Sequence, residues 1–415
     1  MIARWDTGPI IPKTFQKGTH RATSPDETID GVRRMTEVMG ITRISNITGL
    51  DVIGIPVVTV CRPNARSLAI AQGKGLDLAS AKASGVMEAV ELFHAERISL
   101  PLRLASYNEL RFRHRLVDLA GLPRVSASAF HPNLRLLWIE GTDVLVGEPV
   151  WVPFELAHTD FTLPLPTGSG AFLASSNGLA SGNHLLEAVS HGLCEVVERD
   201  ASTLWRLSDE RSRRQTRLDL TTVDDSGCCA LLEKYNRAGV DVAVWETTSD
   251  IGIASFSCVV VDRSPSALRP LYPSTGSGCH PAREIALIRT LTEAAQSRLT
   301  GISGARDDLS HGIYRRSQNL DAQQRVREEM RVDGPTRSFR DVPTHYGETL
   351  NDDVLWELER LRSIGIGQVV VIDLTRVEFK IPVARVVIPG LEPLHKVPGY
   401  KPGPRAQRRL AERRS

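Results

Sequence analysis

Acidic side chains recur at helical spacing in segments that are otherwise rich in apolar residues. In the first segment, Ser84, Glu88 and Glu91 fall on one face of a helix, because each residue turns the helix by ~100°. A second segment places four polar side chains in one sector: Asn183, Glu187, Glu195 and Glu198. A buried carboxylate needs a partner or a metal ion. The excess of negative charge therefore predicts a cation site between these helices.

The chemistry that suits such a site is magnesium and phosphate binding. Mg²⁺ prefers hard oxygen ligands and binds through a few carboxylates together with substrate phosphates. A third helix would supply Glu293, Gln296 and Arg298. The side chains that could neutralise phosphate oxygens are Lys17, Arg21, Arg199 and Arg298. No G-x-x-x-x-G-K-[ST] motif occurs in the sequence, so a Walker-type site is excluded.

The elements that must position these residues are a mixture of strands and helices, which predicts an α/β architecture. The spacing of apolar residues predicts helices over 79–97, 183–206, 283–299 and 353–364, and an earlier helix capped by Asp26 that ends at Gly40. Strand pairs are predicted within 41–63, 134–153 and 240–262, and single strands within 367–375 and 382–389. The turn of the second pair is predicted at Gly141–Asp143.

A loose internal repeat links three of these helices. Three times a glycine-bearing turn leads into a helix with carboxylates, starting near Gly73, Ser176 and Gly276. Such repetition is typical of stacked or pseudosymmetric modules.

The composition limits the classes of protein to which this chain can belong. The 415 residues carry a net charge of +2, so nothing indicates a general attraction to nucleic acid or membranes. The six cysteines form no C-x-x-C pair, and no apolar run is long enough to span a membrane. We expect a cytoplasmic protein in which Cys194 and Cys279 are buried structural residues, with a sulfur relay as the alternative. The basic tail 400–415 is expected to be mobile.

Taken in order along the chain, these motifs resemble the YcaO family. The family patterns S-x-x-x-E-x-x-E, N-x-x-x-E with E-x-x-E-R, and E-x-x-Q-x-R are carried by the residues above and by Arg199. A K-x₆-S feature matches Lys17 and Ser24, and a G-x-RDD element matches Gly304, Arg306, Asp307 and Asp308. The resemblance runs from about Lys17 to Gly403. It implies an N-terminal segment 1–60 integrated into the fold, a catalytic domain 61–399 and the tail 400–415.

The resemblance also implies the fold and the site. It implies a mixed YcaO-type α/β fold in which helices packed on β-sheet form an unusual ATP site. The expected Mg²⁺ ligands are Glu88, Glu91, Glu187, Glu195 and Glu198. The residues expected to contact ATP are Lys17, Ser24, Ser84, Asn183, Arg199, Gln296 and Arg298. Of these two groups, Glu195, Glu198 and Arg199 are expected to be catalytic.

Members of this family activate backbone amides with ATP, so the resemblance implies a peptide or protein substrate and a role in the biosynthesis of modified peptides. The stretch from Lys17 to Val57 is similar to members that act with a TfuA-type partner, which implies thioamide formation from a sulfide donor. The chain ends RRS and not Pro-x-Pro-x-Pro, which argues against an azoline-forming cyclodehydratase acting on Cys, Ser or Thr. That alternative stays open, as do a homodimer and a non-catalytic peptide-binding scaffold.

Overall fold

The computed structural model describes residues 9–264, 271–306, 308, 312, 320–332 and 337–413. The strands are β1 (Arg43–Asn46), β2 (Val57–Cys61), β3 (Ile70–Lys74), β4 (Leu102–Ala105), β5 (Leu136–Asp143), β6 (Glu148–Pro153), β7 (Leu179–Ser181), β8 (Leu218–Asp219), β9 (Val240–Glu246), β10 (Ser255–Asp262), β11 (Ser274–Cys279), β12 (Arg337–Ser338), β13 (Val370–Asp373) and β14 (Val383–Val387). The helices are α1 (Pro25–Arg33), α2 (Leu78–Glu96), α3 (Tyr107–Leu110), α4 (Leu185–Leu207), α5 (Glu210–Arg214), α6 (Ser226–Arg237), α7 (Arg283–Ser303), α8 (Leu320–Val332), α9 (Leu350–Ser363) and α10 (Pro404–Glu412).

Three sheets carry the strands that position the helices. A six-stranded antiparallel sheet has the order β4-β5-β13-β14-β7, with β6 paired to β5. Two antiparallel sheets of three strands have the orders β1-β2-β3 and β11-β10-β9. The predicted strand pairs and the mixed α/β architecture are confirmed. Within the described ranges, no helix is long and apolar enough to cross a membrane.

The weak repeat in the sequence corresponds to strand–helix units. β3 is followed by α2, β7 by α4, and β11 by α7. In the first and third units, Gly73 and Gly276 lie in strands, where the helix backbone leaves no room for a side chain, whereas Gly178 of the second unit lies in the turn before β7 with a φ of 78°. A Cβ on Gly73 would lie 2.0 Å from the carbonyl oxygen of Ala81, and one on Gly276 would lie 2.1 Å from that of Thr290.

The helices are packed between sheets. α2 buries Val86, Val90 and other apolar residues against both the β1–β3 sheet and the six-stranded sheet, whose Trp138 is fully buried. α4 packs on β14 and beside α9, and α7 packs with α6 on β9 and β10. These contacts turn one face of each of α2, α4 and α7 toward a common space.

Two predictions about local structure are wrong. α1 begins at Pro25 and ends at Arg33, and its N-cap is Ser24, whose hydroxyl accepts from the amide of Glu27 while the carboxylate of Glu27 accepts from the amide of Ser24. This capping box replaces the predicted Asp26 cap. Gly141–Asp143 belong to β5, and the turn follows over 144–147, where Gly147 has a φ of 78°.

The prediction of a mobile tail is also wrong. Residues 404–412 form α10, and Arg405 is buried against Asp200 of α4. Burial of an arginine requires a carboxylate partner, and Asp200 and Asp250 provide two. The predicted domain boundaries at 60 and 399 stay predictions.

Candidate active site

A cavity of about 480 Å³ lies where α2, α4 and α7 face one another, below the segment Lys17–Arg21. Each helix contributes side chains at helical spacing, so each presents one stripe to the cavity. The structure brings together all five predicted metal-binding residues, which are Glu88, Glu91, Glu187, Glu195 and Glu198, and adds Glu293.

Arg199 and Lys74 pair with three of these carboxylates. Nη1 of Arg199 lies 3.0 Å from Oε1 of Glu198, and Nη2 lies 3.8 Å from Oε1 of Glu195. Lys74 pairs with Glu293 at 2.9 Å. Glu88 and Glu91 have no ion pair among the described residues, so the carboxyl groups of α2 lack a cation in direct contact.

Hydrogen bonds from the backbone orient the acids. Glu91 accepts from the amide and the hydroxyl of Ser181, both at 2.8 Å, and Glu88 accepts from the amide of Gln72 at 3.3 Å. Glu187 accepts from the amide of Ala22 at 2.9 Å, which connects the N-terminal segment to α4. The carboxylates are therefore fixed by the ends of neighbouring strands and loops.

Burial changes the protonation of this cluster. It raises the pKa of Glu88 to about 7, of Glu91 to about 8 and of Glu198 to about 7. Burial also raises the pKa of Glu195. For Glu293, Lys74 and Arg199 outweigh burial and lower the pKa. Raised carboxylate pKa values mean that negative charge is not fully compensated. This set of hard oxygen donors fits Mg²⁺.

Several predicted nucleotide contacts line the cavity. They are Lys17, Ser84, Arg199 and Gln296. The ammonium of Lys17 lies at the exposed rim, 3.1 Å from Asp77, and Gln296 donates to the carbonyl of Gln72 at 2.8 Å. Arg306 lines the cavity as well, whereas Asp307 lies outside the described residues.

Three other predicted contacts lie outside the cavity wall because nearer partners hold them. Ser24 caps α1. Asn183 donates to Glu187 at 3.2 Å and so supports an acid of the cavity indirectly. Arg298 is 3% exposed and is neutralised by Asp51 and Asp262 at 2.8 and 2.9 Å. Those aspartates come from distant parts of the chain, which the local motif does not reveal.

Lys74 and Arg289 are cavity residues that were not predicted from the sequence. Arg289, Glu293 and Gln296 stand at i, i+4 and i+7 on α7. Extending the acidic stripe by one turn toward the start of the helix would have identified Arg289. Lys74 ends β3, and its role depends on contact with α7, for which the sequence gives no local signal.

A histidine–aspartate group also lines the cavity. The ligand atoms of His20, His280 and Asp353 lie within 4.8 Å of one another. Lys13 already pairs with Asp353 at 2.7 Å, and Nδ1 of His280 accepts from the amide of Ala282 at 3.0 Å. The neutral ring of His280 therefore carries its proton on Nε2. This arrangement suits hydrogen bonding and proton exchange better than a metal ion.

The two cysteines in the cavity wall belong to a buried neutral network. Cys194 is hydrogen-bonded with Cys279 and donates to Glu357 at 3.3 Å, and Ser190 donates to the same carboxylate at 2.7 Å. The neighbouring thiol of Cys279, together with burial, raises the pKa of Cys194 well above its usual value. A thiol that keeps its proton is a poor nucleophile, which favours the structural role over a sulfur relay.

This arrangement of sheets and helices is also found in solved heterocyclases. The chain matches a structure described as a heterocyclase in complex with substrate and cofactor, with a TM-score of 0.77 and 22% identity, over 93% of this chain and 54% of the other. It thus spans about half the length of that heterocyclase. It matches YcaO from Methanopyrus kandleri, bound with AMPPCP and Mg²⁺, with a TM-score of 0.72 and 23% identity, over 92% and 95% of the two chains. The class of fold is that of the YcaO-type heterocyclases.

The sequence comparison identifies the family. Residues 72–392 match the family model described as YcaO cyclodehydratase, ATP- and Mg²⁺-binding. The chain belongs to the YcaO family. The predicted fold class is confirmed, and so is the expectation of ATP and Mg²⁺ as cofactors.

Two relatives cover nearly the whole chain. A protein of Rhizobium leguminosarum bv. trifolii, described as lying in the tfuA 3′ region, is 38% identical over 377 residues, which is 90% of this chain and 88% of the relative. A protein of Methanothermobacter thermautotrophicus is 35% identical over 391 residues, which is 90% of this chain and 95% of the relative.

Proposed function

We propose that this protein uses ATP and Mg²⁺ to activate a backbone amide in a peptide or protein, and installs a thioamide together with a TfuA-like partner. The observation that carries the proposal is the convergence of six glutamates from three helices, with Arg199 and Lys74, in one cavity. A phosphate-bearing substrate and a divalent ion would complete this balance of charges.

The reaction balances without an oxidant or reductant. Hydrosulfide adds to the amide carbon, and the amide oxygen becomes an oxyanion. That oxygen forms a bond with the terminal phosphorus of ATP as the bond from phosphorus to the bridging oxygen breaks, and ADP leaves. The C–O bond then breaks, phosphate leaves with the electron pair, and the proton on sulfur is released, which gives the thioamide. Phosphorylation is needed because an amide oxygen is otherwise a poor leaving group.

Different residues of this chain would bind Mg²⁺, position the N-terminal segment and contact the phosphate oxygens. Glu88, Glu91, Glu195 and Glu198 would hold Mg²⁺ or order its waters, and Glu187 would fix the segment that closes over the cavity. Bound Mg²⁺ supplies neutralisation of the charge on the phosphate oxygens. Arg199, which is held by Glu195 and Glu198, would donate hydrogen bonds to the same charge.

The choice of sulfide as nucleophile is supported by a relative. The Rhizobium protein from the tfuA 3′ region aligns over 90% of this chain, which favours a TfuA-like partner here as well. The alternative is azoline formation, in which a Cys, Ser or Thr side chain of the substrate is the nucleophile. The family description and the likeness to a heterocyclase favour that alternative.

A non-catalytic peptide-binding scaffold is the second alternative, from a different class. Its glutamates would serve as structural ion pairs. The raised pKa values of Glu88 and Glu91 argue against it, since burial without a partner destabilises a carboxylate and a scaffold gains nothing from it.

Intact mass of the substrate distinguishes these functions. The substrate peptide is co-expressed with this protein and a TfuA-like protein from the same genomic neighbourhood. A gain of about 16 Da marks oxygen-to-sulfur exchange, and a loss of about 18 Da marks dehydration to an azoline. The Glu198→Gln variant should leave the mass unchanged, while Glu210→Gln, an exposed acid beyond the end of α4, should behave as wild type. An unchanged substrate with folded wild-type protein contradicts both catalytic functions.

A further inference from the structure

Two arginines enter the cavity from different parts of the chain. Arg21 comes from the segment that covers the cavity, and Arg289 comes from α7. The Nε atoms of both are buried and have no hydrogen-bond partner within the described part of the chain. Nη1 of Arg21 is 4.0 Å from Oε1 of Glu187, and Nη2 of Arg289 is 2.8 Å from Nε2 of His191.

Close ion pairs do little for these guanidinium groups: within the described residues Arg21 has one, at 4.0 Å with Glu187, and Arg289 has none. Burial lowers the pKa of Arg21, Glu187 opposes this effect, and Arg289 adds to it by repulsion. Burial also lowers the pKa of His191 well below its usual value, with further lowering from Arg289 and Arg21, so this histidine is neutral at neutral pH. Two half-buried like charges in one cavity, each with a buried Nε that lacks a hydrogen-bond partner within the described residues, call for an anion that offers several oxygens.

The position of the pair indicates which anion this is. Arg21 interacts electrostatically with Glu91, and Arg289 with Glu195 and Glu198, so both arginines adjoin the acids that would hold Mg²⁺. Lys17, by contrast, is 66% exposed at the rim. The phosphate that is transferred carries the highest charge of a triphosphate and must be shielded from water. Planar guanidinium groups match its oxygens through paired hydrogen bonds.

We infer that Arg21 and Arg289 form a clamp for the terminal phosphoryl group of the nucleotide, an assignment that rests on the proposed function. The clamp holds this group while the amide-derived oxygen bonds to the phosphorus, the bond to the bridging oxygen breaks, and ADP leaves with the electron pair. The hydrogen-bond donors on the two side chains then remain with the phosphate on the substrate. A nucleotide that lacks the third phosphate, such as ADP, accepts no hydrogen bonds from these two side chains.

Calorimetric titration with two nucleotides tests this clamp. Mg²⁺ with ADP, and Mg²⁺ with the non-hydrolysable analogue AMPPCP, are titrated into wild type and into the Arg21→Met and Arg289→Met variants. We expect AMPPCP to bind each variant roughly 10- to 100-fold more weakly, as for the loss of hydrogen bonds to a charged group, and ADP to change by less than about 3-fold. Arg283→Met, on the same helix but outside the cavity, should bind both nucleotides as wild type does.

The charge-preserving variants Arg21→Lys and Arg289→Lys keep the test valid if the methionine variants do not fold. They retain the charge but lose the planar fork, so a smaller loss confined to AMPPCP is expected. Equal weakening of ADP and AMPPCP, or no weakening of either, would overturn the clamp while leaving the proposed function intact. Failure of folded wild type to bind either nucleotide would overturn the proposed function itself.

Discussion

Arg405, near the C-terminus, donates two hydrogen bonds of 3.0 Å to the carboxylate of Asp200, the residue that directly follows Arg199 on α4. Asp200 is fully buried, and the amide of Glu392 donates to it as well, at 3.0 Å. The opposite face of α4 carries Glu195 and Glu198 into the cavity. The C-terminal helix α10 therefore fixes the helix that bears Glu195 and Glu198.

Removing this ion pair should destabilise the protein strongly. The Arg405→Ala variant leaves Asp200 buried without its counter-charge, and loss of one partner of a buried pair costs about 3 kcal/mol or more. We expect the free energy of unfolding, measured by urea denaturation, to fall by that amount. Arg408→Ala, on the exposed side of the same helix, should change it by less than about 0.5 kcal/mol. Equal effects from the two variants would show that α10 does not support α4.

Close packing of β3 against α2 leads to a second prediction. In the Gly73→Ala variant the new methyl group would lie 2.0 Å from the carbonyl oxygen of Ala81 and 2.1 Å from the amide nitrogen of Gly85, so α2 must move. We expect a loss of about 3 kcal/mol in the free energy of unfolding. Gly31→Ala is the control, because nothing lies within 4 Å of its Cβ position in α1.

The control should stabilise α1 by about 0.5–1 kcal/mol. Because α2 carries Glu88 and Glu91, the Gly73→Ala protein should also bind Mg²⁺ and nucleotide more weakly. A Gly73→Ala protein as stable as wild type would show that the strand and helix are not in close contact.

The raised pKa values predict how stability depends on pH. Burial raises the pKa of Glu88 to about 7 and that of Glu91 to about 8, from an ordinary value of 4.5. The folded chain then holds protons that the unfolded chain has lost. The stabilisation of the folded chain by these bound protons is complete below about pH 4.5 and is lost as the pH rises through 7 to 8. Without Mg²⁺ and nucleotide, the Tm of wild type should therefore fall over this range relative to that of Glu88→Gln/Glu91→Gln.

Differential scanning fluorimetry across that pH range measures the difference in Tm. Bound Mg²⁺ favours the ionised carboxylates, so adding Mg²⁺ with AMPPCP should raise the Tm of wild type more at pH 8 than at pH 6. Identical pH profiles for wild type and the double variant would contradict the assignment of these protons to the two glutamates.

The helices that carry the site could be predicted from the sequence because their periodicity is local. Glu88 and Glu91 lie one turn apart on α2, and Glu195 and Glu198 one turn apart on α4, so the spacing alone places each pair on one face. That the faces meet depends on packing between sheets, which was inferred from the family resemblance. Ser24 could have been recognised as an N-cap, since Ser24-Pro25-Asp26-Glu27 fits the capping-box pattern.

The residues whose surroundings the sequence does not reveal are those held by distant partners. Arg298 was expected to contact the nucleotide, but Asp51 and Asp262 neutralise it. Arg405 was placed in a mobile tail, but it is buried against Asp200 of α4. In both cases the position of a buried arginine is set by the carboxylates that pair with it, and only the fold determines which carboxylates are near.

The most direct test of the central claim measures whether the glutamates hold a divalent ion against a triphosphate. Calorimetric titration of AMPPCP is performed with Mg²⁺ and after its removal with EDTA, on wild type, Glu88→Gln, Glu198→Gln and the exposed control Glu210→Gln. We expect wild type and the control to bind AMPPCP only with Mg²⁺. We expect the cavity variants to bind it at least roughly 10-fold more weakly, because mutating even the residues that hydrogen-bond to metal ligands lowers metal affinity by about this factor. Equally tight binding without Mg²⁺, or in both cavity variants, would contradict the account.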